Sequence, residues 1–184
     1  TDSDGNAVEI TRVQYYLSKI GVTHDEGQLT EFSEKFILAS GNIADYSLGT
    51  AAITNIESID FNLGINSAYN HLDPASYPDG HPLAIQSPSM HWGWTAGYNF
   101  LVIEGNVDSN DDGIPDKLFE FHAVSNDDFL TPVTTIQTVG ESVNDTDLSI
   151  NLDVNIANWL KDVDLIAAGF NHGSQSINGT LMAN

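Results

Sequence analysis

The sequence predicts an all-β fold: an antiparallel β-sandwich of the immunoglobulin-like or Greek-key type, with one short helix and one long irregular loop. Three observations lead there. Apolar and polar residues alternate along several segments, the pattern of strands with one buried face. Turn signals recur about every ten residues, as between the short strands of a sandwich. Apolar residues take helical spacing over only one short segment.

Val8 to Leu17 is rich in β-branched and aromatic residues and reads as a long strand running through Ile20 and Val22. It ends at the turn His24-Asp25-Glu26-Gly27. Lys35 to Ala39 is a second strand, closed by Ser40-Gly41-Asn42. A third lies within Ile53 to Leu63, with Ile56, Ile59, Phe61 and Leu63 as its apolar positions. Asn70 to Pro88 carries prolines and Asp/Gly turn signals throughout and reads as a long irregular loop. Loops of that length in a compact domain are usually functional. Gly97 to Glu104 is the clearest strand, and Lys117 to Val124 is its hairpin partner. Thr134 to Val139 and Leu148 to Val154 are further strands. Ile156, Trp159, Leu160 and Val163 fall at i, i+3, i+4 and i+7, which makes Val154 to Val163 the helix. The last fifteen residues are polar and Gly-rich.

The 184 residues, 41% of them hydrophobic, suffice for one domain over 1–184 with its own core. No repeat or linker divides them. Five Lys and Arg against 26 Asp and Glu leave a charge of −21, which repels nucleic acid and anionic membranes and attracts cations. No apolar run approaches the length of a membrane span. With no cysteine, disulfides, thiolate metal sites and cysteine nucleophiles are excluded. Few Lys and many Asp and Asn fit a secreted or periplasmic bacterial protein. The start at Thr1, without initiator Met or leader, reads as a processed or trimmed chain.

Asp108-Ser109-Asn110-Asp111-Asp112-Gly113-Ile114-Pro115-Asp116 has the spacing D-x-N-x-D-G-x-x-D. Side-chain oxygens of Asp108, Asn110, Asp112 and Asp116 with the Ile114 carbonyl make most of a calcium cage, and Gly113 permits the sharp bend. Phe119 stands where an EF-hand has its bidentate Glu, and strands flank the loop. The expectation is a structural calcium site, an insertion at 108–116 that pins the hairpin.

Ser89-Met90-His91-Trp92-Gly93-Trp94-Thr95-Ala96-Gly97-Tyr98 gathers an imidazole, a thioether and three aromatic rings. In an extended chain Met90, Trp92 and Trp94 face one way and His91 the other. This segment, with His81-Pro82-Leu83 before it and Asn99 to Gly105 after it, resembles the signature of the MbnP-like copper-binding proteins. Tyr15-Tyr16-Leu17-Ser18-Lys19-Ile20 is similar to that family's early strand, and Phe119-Glu120-Phe121-His122 to a later strand ending in His. The resemblance runs from about Val8 to the C-terminus. It implies a secreted, cell-surface or periplasmic protein that binds copper and is not itself an enzyme. It implies a tryptophan, here Trp92 or Trp94, oxidised to kynurenine by a partner di-haem MauG-like peroxidase. His91 comes first as copper ligand from the motif, then His122 and His172. His24, which follows the first strand, is a further candidate without motif support. Imidazoles suit both oxidation states of copper, which tops the divalent affinity series.

The alternative is a calcium-stabilised carbohydrate-binding module with Trp92, Trp94 and Tyr98 as a stacking platform. Exposed coplanar tryptophans beside polar groups would favour sugar; buried tryptophans near two or three converging histidines would favour copper. No nucleophile elbow or zinc-protease helix motif supports a hydrolase.

Overall fold

A computed structural model describes residues 1–124, 131–137, 140–142, 146–173 and 176–184. The strands are β1 Val8–His24, β2 Gln28–Phe32, β3 Ile37–Ser40, β4 Ile56–Leu63, β5 Asn99–Val107, β6 Lys117–Val124, β7 Thr131–Gln137, β8 Glu141–Ser142, β9 Leu148–Ser149 and β10 Phe170–Gly173. The helices are α1 Ser67–Asn70, α2 Ile156–Trp159, α3 Leu165–Ala168 and α4 Ser176–Ala183, with a 3-10 turn at Pro74–Ser76. The fold is all-β, as expected.

β1 is the spine. Leu17 pairs with Ile37 of β3 and with Leu63 of β4, so β3 and β4 lie on opposite edges of β1. Tyr15 pairs with Ala39 of β3 and Leu101 of β5, so β3 and β5 are also opposite. β4 and β5 therefore follow one another along a single edge. Between Ser18 and Gly21 the register shifts, and Lys19 takes φ 49°. A bulge of this kind bends a strand and raises its twist. The two halves of β1 thus carry separate sets of partners. The N-terminal half leads through β5 and β6 to β10, and the C-terminal half through β4 to β7. Two clusters of buried residues match the division. Tyr16, Phe100, Ile103, Phe119 and Phe121 anchor one; Ile20, Val22, Ile37, Ile56 and Ile59 make the other.

Because β4 ends where β5 begins along β1, residues 64–98 leave and return at neighbouring points. The Gly64 N–H donates to the Tyr16 carbonyl at 2.8 Å, and Ser18 Oγ donates to the Gly64 carbonyl. Gly64 has φ 110°, and a Cβ there would lie 2.5 Å from Cδ2 of the buried Phe100. Only glycine fits. At the other root, Asn70 Oδ1 accepts the Tyr98 N–H at 2.9 Å. The Tyr16 hydroxyl donates to the Pro82 carbonyl at 3.0 Å, and the Tyr98 hydroxyl donates to the Leu83 carbonyl. The loop is thereby strapped over β1.

Several expectations need correction. One ladder is parallel, β10 beside β6, so the sheet is mixed rather than purely antiparallel. Four short α-helices are described rather than one. The expected Leu148–Val154 strand pairs only at Leu148–Ser149; the chain then stays irregular until Asn155, whose side chain caps α2. The strand expected at 134–139 runs from Thr131 to Gln137, and Thr138 and Val139 lie outside the described residues. The polar tail contains α4, despite Asn178 and Gly179, both poor helix formers. Tertiary packing overrides propensity there: Leu181 and Met182 are buried in the larger core.

Candidate metal centre

The ladder registers decide which side chains share a face. Arg12 pairs with Glu104, and Gln14 with Val102. Val102 pairs with His122, and Glu104 with Glu120. In the parallel ladder, His172 pairs with His122 and Phe170 with Glu120. Side chains of paired residues lie on the same side of a sheet, and alternate residues of a strand share a face. Arg12, Glu104, Glu120, His122 and His172 therefore lie on one face. Phe119, Phe121 and Ala123 take the other, where α3 and α4 pack on β6.

The parallel pairing sets the two imidazoles against each other. The His122 and His172 rings stack with centroids 4.4 Å apart and planes 2° apart. Glu120 completes the set: one ligand atom from each of Glu120, His122 and His172 lies within 4.8 Å of the others. It is the one such trio of His, Asp or Glu among the described residues. Glu120 Oε2 is 3.4 Å from His172 Nε2. Asn178 of α4 holds the ladder from behind, its amide donating to the carbonyls of His122, Asn171 and Gly173.

His122 is the buried member. Its Nε2 lies 2.8 Å from Glu104 Oε1, while its Nδ1 is buried with no hydrogen-bond partner. Burial holds this ring below the ordinary imidazole pKa; the Glu104 hydrogen bond opposes that shift, and the neighbouring His172 adds to it. A buried nitrogen lone pair without a partner is costly. A cation bound at that nitrogen would satisfy it. Two imidazoles and a carboxylate are a donor set for a borderline metal.

The M-H-W-G-W segment does not run extended. Gly93 and Gly97 have φ 87° and 74°, and the Trp92 N–H and Gly97 carbonyl close a turn at 2.8 Å. Trp92 and Trp94 consequently have different surroundings. Trp92 packs edge-on against both His122 and His172, each at 5.0 Å between centroids. Trp94 is 64% exposed and approaches His91. His91 leans on Tyr98 at 4.7 Å and accepts the Gly93 N–H on Nδ1. Its Nε2 is buried and unpartnered, and burial lowers its pKa. His91 is outside the Glu120–His122–His172 trio.

His24 is placed elsewhere. Gln14 is the β1 residue level with Val102 and hence with His122. His24 lies ten positions further along, about 33 Å of strand at about 3.3 Å per residue. Both its ring nitrogens are engaged, with Asp25 at 2.9 Å and Thr30 at 2.8 Å. Of the four histidines expected at one site, the fold brings His122 and His172 together and separates His24. Glu120, Glu104 and Arg12 were missed. A signal existed: Glu104 and Glu120 are carboxylates inside otherwise apolar strands, where an unpaired charge is rarely tolerated.

The Asp-rich loop joins β5 to β6. Asp108 is 3% exposed. Its carboxylate accepts N–H groups from Asn110, Asp111, Asp112 and Gly113. Burial opposes its ionisation, but these four bonds together hold its pKa below the usual value. Asn110 Oδ1 accepts the Asp112 N–H, Asp112 Oδ1 the Ile114 N–H, and Asp116 Oδ1 the Ser109 N–H. Gly113 bends with φ 84°.

Among curated proteins, none matches the chain. Of the solved structures, MbnP from Methylosinus trichosporium is similar at 18% sequence identity, with a TM-score of 0.42. That match covers 66% of this chain and 53% of the other, so the chain spans about half the length of that relative. The sequence profile of the MbnP family matches residues 1–178, nearly the whole chain, and the chain belongs to the MbnP family.

Proposed function

We propose that the protein binds copper at His122, His172 and Glu120, as a carrier or scavenger rather than an enzyme, outside the cytoplasm. The observation that carries this reading is the stacked His122–His172 pair beside Glu120, with the His122 Nδ1 buried and unpartnered, in a chain of the MbnP family. Neutral imidazoles accept either oxidation state of copper. A charge of −21 raises the local cation concentration, and geometry supplies the selectivity. No helix among the described residues is long and apolar enough to cross a membrane. Both indoles are exposed, Trp92 by 38% and Trp94 by 64%, as a sugar platform requires, but Trp92 packs edge-on against two converging imidazoles, which favours copper.

Within the same reading, Trp92 rather than Trp94 is the residue a partner di-haem MauG-like peroxidase would convert to kynurenine, because Trp92 touches the ligand pair. The Asp108–Asp116 loop is assigned to calcium, with a structural role; its support is the D-x-N-x-D-G-x-x-D spacing and a loop already folded around Asp108.

Competition titration against a Cu(I) chelator tests the centre. His122→Ala and His172→Ala should each weaken binding by at least about tenfold, since a lone imidazole is a weak ligand. His91→Ala in the same titration decides whether its buried Nε2 joins the set. Wild-type affinity in both the His122 and His172 variants would sink the proposal.

A further inference from the structure

We propose that Glu104, clamped by Arg12, is a positioning residue that fixes His122 as the Nε2–H tautomer and so presents Nδ1 to the metal. The inference rests on the metal-centre reading above and deepens it.

One carboxylate oxygen carries the argument. Glu104 Oε1 is 2.8 Å from His122 Nε2 and 2.7 Å from Arg12 Nη1. An ionised carboxylate only accepts hydrogen bonds, and a guanidinium only donates and does not lose its charge in proteins. The imidazole nitrogen facing that oxygen must therefore carry the proton. The other nitrogen, Nδ1, is left as a bare lone pair, and it is the buried atom with no protein partner. Metal-binding histidines in general donate their second ring N–H to a carboxylate, which sets the tautomer and raises ligand basicity. Here the carboxylate comes from β5, the histidine from β6 and the guanidinium from β1, aligned by ladder register alone.

Arg12 has a second consequence. Glu104 and Glu120 are direct cross-strand partners, and two carboxylates in that relation repel. The guanidinium compensates Glu104 and leaves Glu120 as the carboxylate facing the histidine pair. The remaining guanidinium nitrogens are also committed: Nε donates to Gln14 Oε1 at 2.7 Å, and Nη2 donates to the Met90 sulfur at 3.3 Å. Met90 is 1% exposed. Its thioether is thus an anchor for the loop that carries Trp92, not a ligand. One arginine ties together the orienting carboxylate and the strap over the site.

The test needs no metal at first. Two-bond proton–nitrogen correlation spectra of the 15N-labelled, metal-free protein at mildly alkaline pH report the tautomer of each imidazole. His122 should be Nε2–H in the wild type and in Glu104→Gln, whose amide oxygen offers the same acceptor, and a mixture in Glu104→Ala. Cu(I) competition on the same proteins should show about a 10- to 100-fold loss for Glu104→Ala and rescue by Glu104→Gln. A wild-type His122 in the Nδ1–H form overturns the proposal and requires no variant to fold. An unchanged tautomer in a folded Glu104→Ala overturns it as well. If the tautomers behave as stated but no variant or wild-type protein binds copper, the copper reading fails while the positioning role stands.

Discussion

Gly64→Ala should be among the most damaging single-methyl additions in the chain, and its cost separates into two parts. The residue has φ 110°, where an L side chain meets backbone strain of about 1–2 kcal/mol. The new Cβ would also stand 2.5 Å from Cδ2 and 2.9 Å from Cε2 of Phe100. Phe100 is fully buried in the larger core, so the ring has no free space to turn into. Overpacking of this kind costs about 1–3 kcal/mol. Together the two come to about 2–5 kcal/mol, a large share of the about 5–15 kcal/mol by which domains are stable. Gly49→Ala is the control: φ is 111° and nothing lies within 4 Å of the added Cβ. It should show the backbone strain without the clash. Urea unfolding followed by tryptophan fluorescence gives both numbers, provided the m-values agree. If Gly64→Ala costs no more than Gly49→Ala within about 0.5 kcal/mol, the steric account of the loop root is wrong.

Three further outcomes are expected. Asp25 has its pKa lowered, first by the Thr54 hydroxyl, then by the Thr54 N–H and His24. A depressed carboxylate contributes stability above its unfolded pKa of about 3.9 and loses it as pH falls toward the folded value. The melting temperature of the wild type should therefore exceed that of Asp25→Asn at neutral pH, and the gap should narrow as pH falls below about 4; parallel curves throughout would count against the hydrogen bonds from Thr54 and His24. EGTA should lower the melting temperature of calcium-loaded protein, since binding at one hundred times Kd adds about 2.7 kcal/mol. Asp112→Ala should abolish that response, and a wild type indifferent to EGTA refutes the calcium assignment. Tandem mass spectrometry of residues 89–98 from protein co-expressed with the peroxidase should place a net gain of one oxygen and loss of one carbon on Trp92. The same shift on Trp94, or no shift, would be evidence against the assignment.

Much of the local structure was legible. Alternation over Val8 to Val22, the His24–Gly27 turn and the apolar strands expected at 97–104 and 117–124, found at 99–107 and 117–124, follow from side-chain period and turn chemistry, which act over a few residues. The Met90–Tyr98 motif pointed to the family for the same reason: it is a contiguous run, whose match needs no fold. β2 was missed because Gln28–Phe32, with three of its five residues exposed, has little apolar signal and owes its existence to pairing with β1.

The metal centre belongs to the tertiary structure. His122 and His172 stand fifty residues apart in sequence, and only the parallel ladder between β6 and a four-residue strand stacks them. So short a strand carries no periodicity of its own; α4 packs on it and the Asn178 amide ties it to β6. Glu104 and Arg12 reach the site by cross-strand register, a property of the whole sheet. The turn at Gly93–Gly97 parts Trp92 from Trp94, where the linear pattern put both on one face. The sequence by itself determined which residue types were available, the strand faces on which they sit and the net charge that draws cations. The long-range ladders decided which of them meet, because the energy that selects a register is the burial of the entire apolar face and not any preference of the histidines.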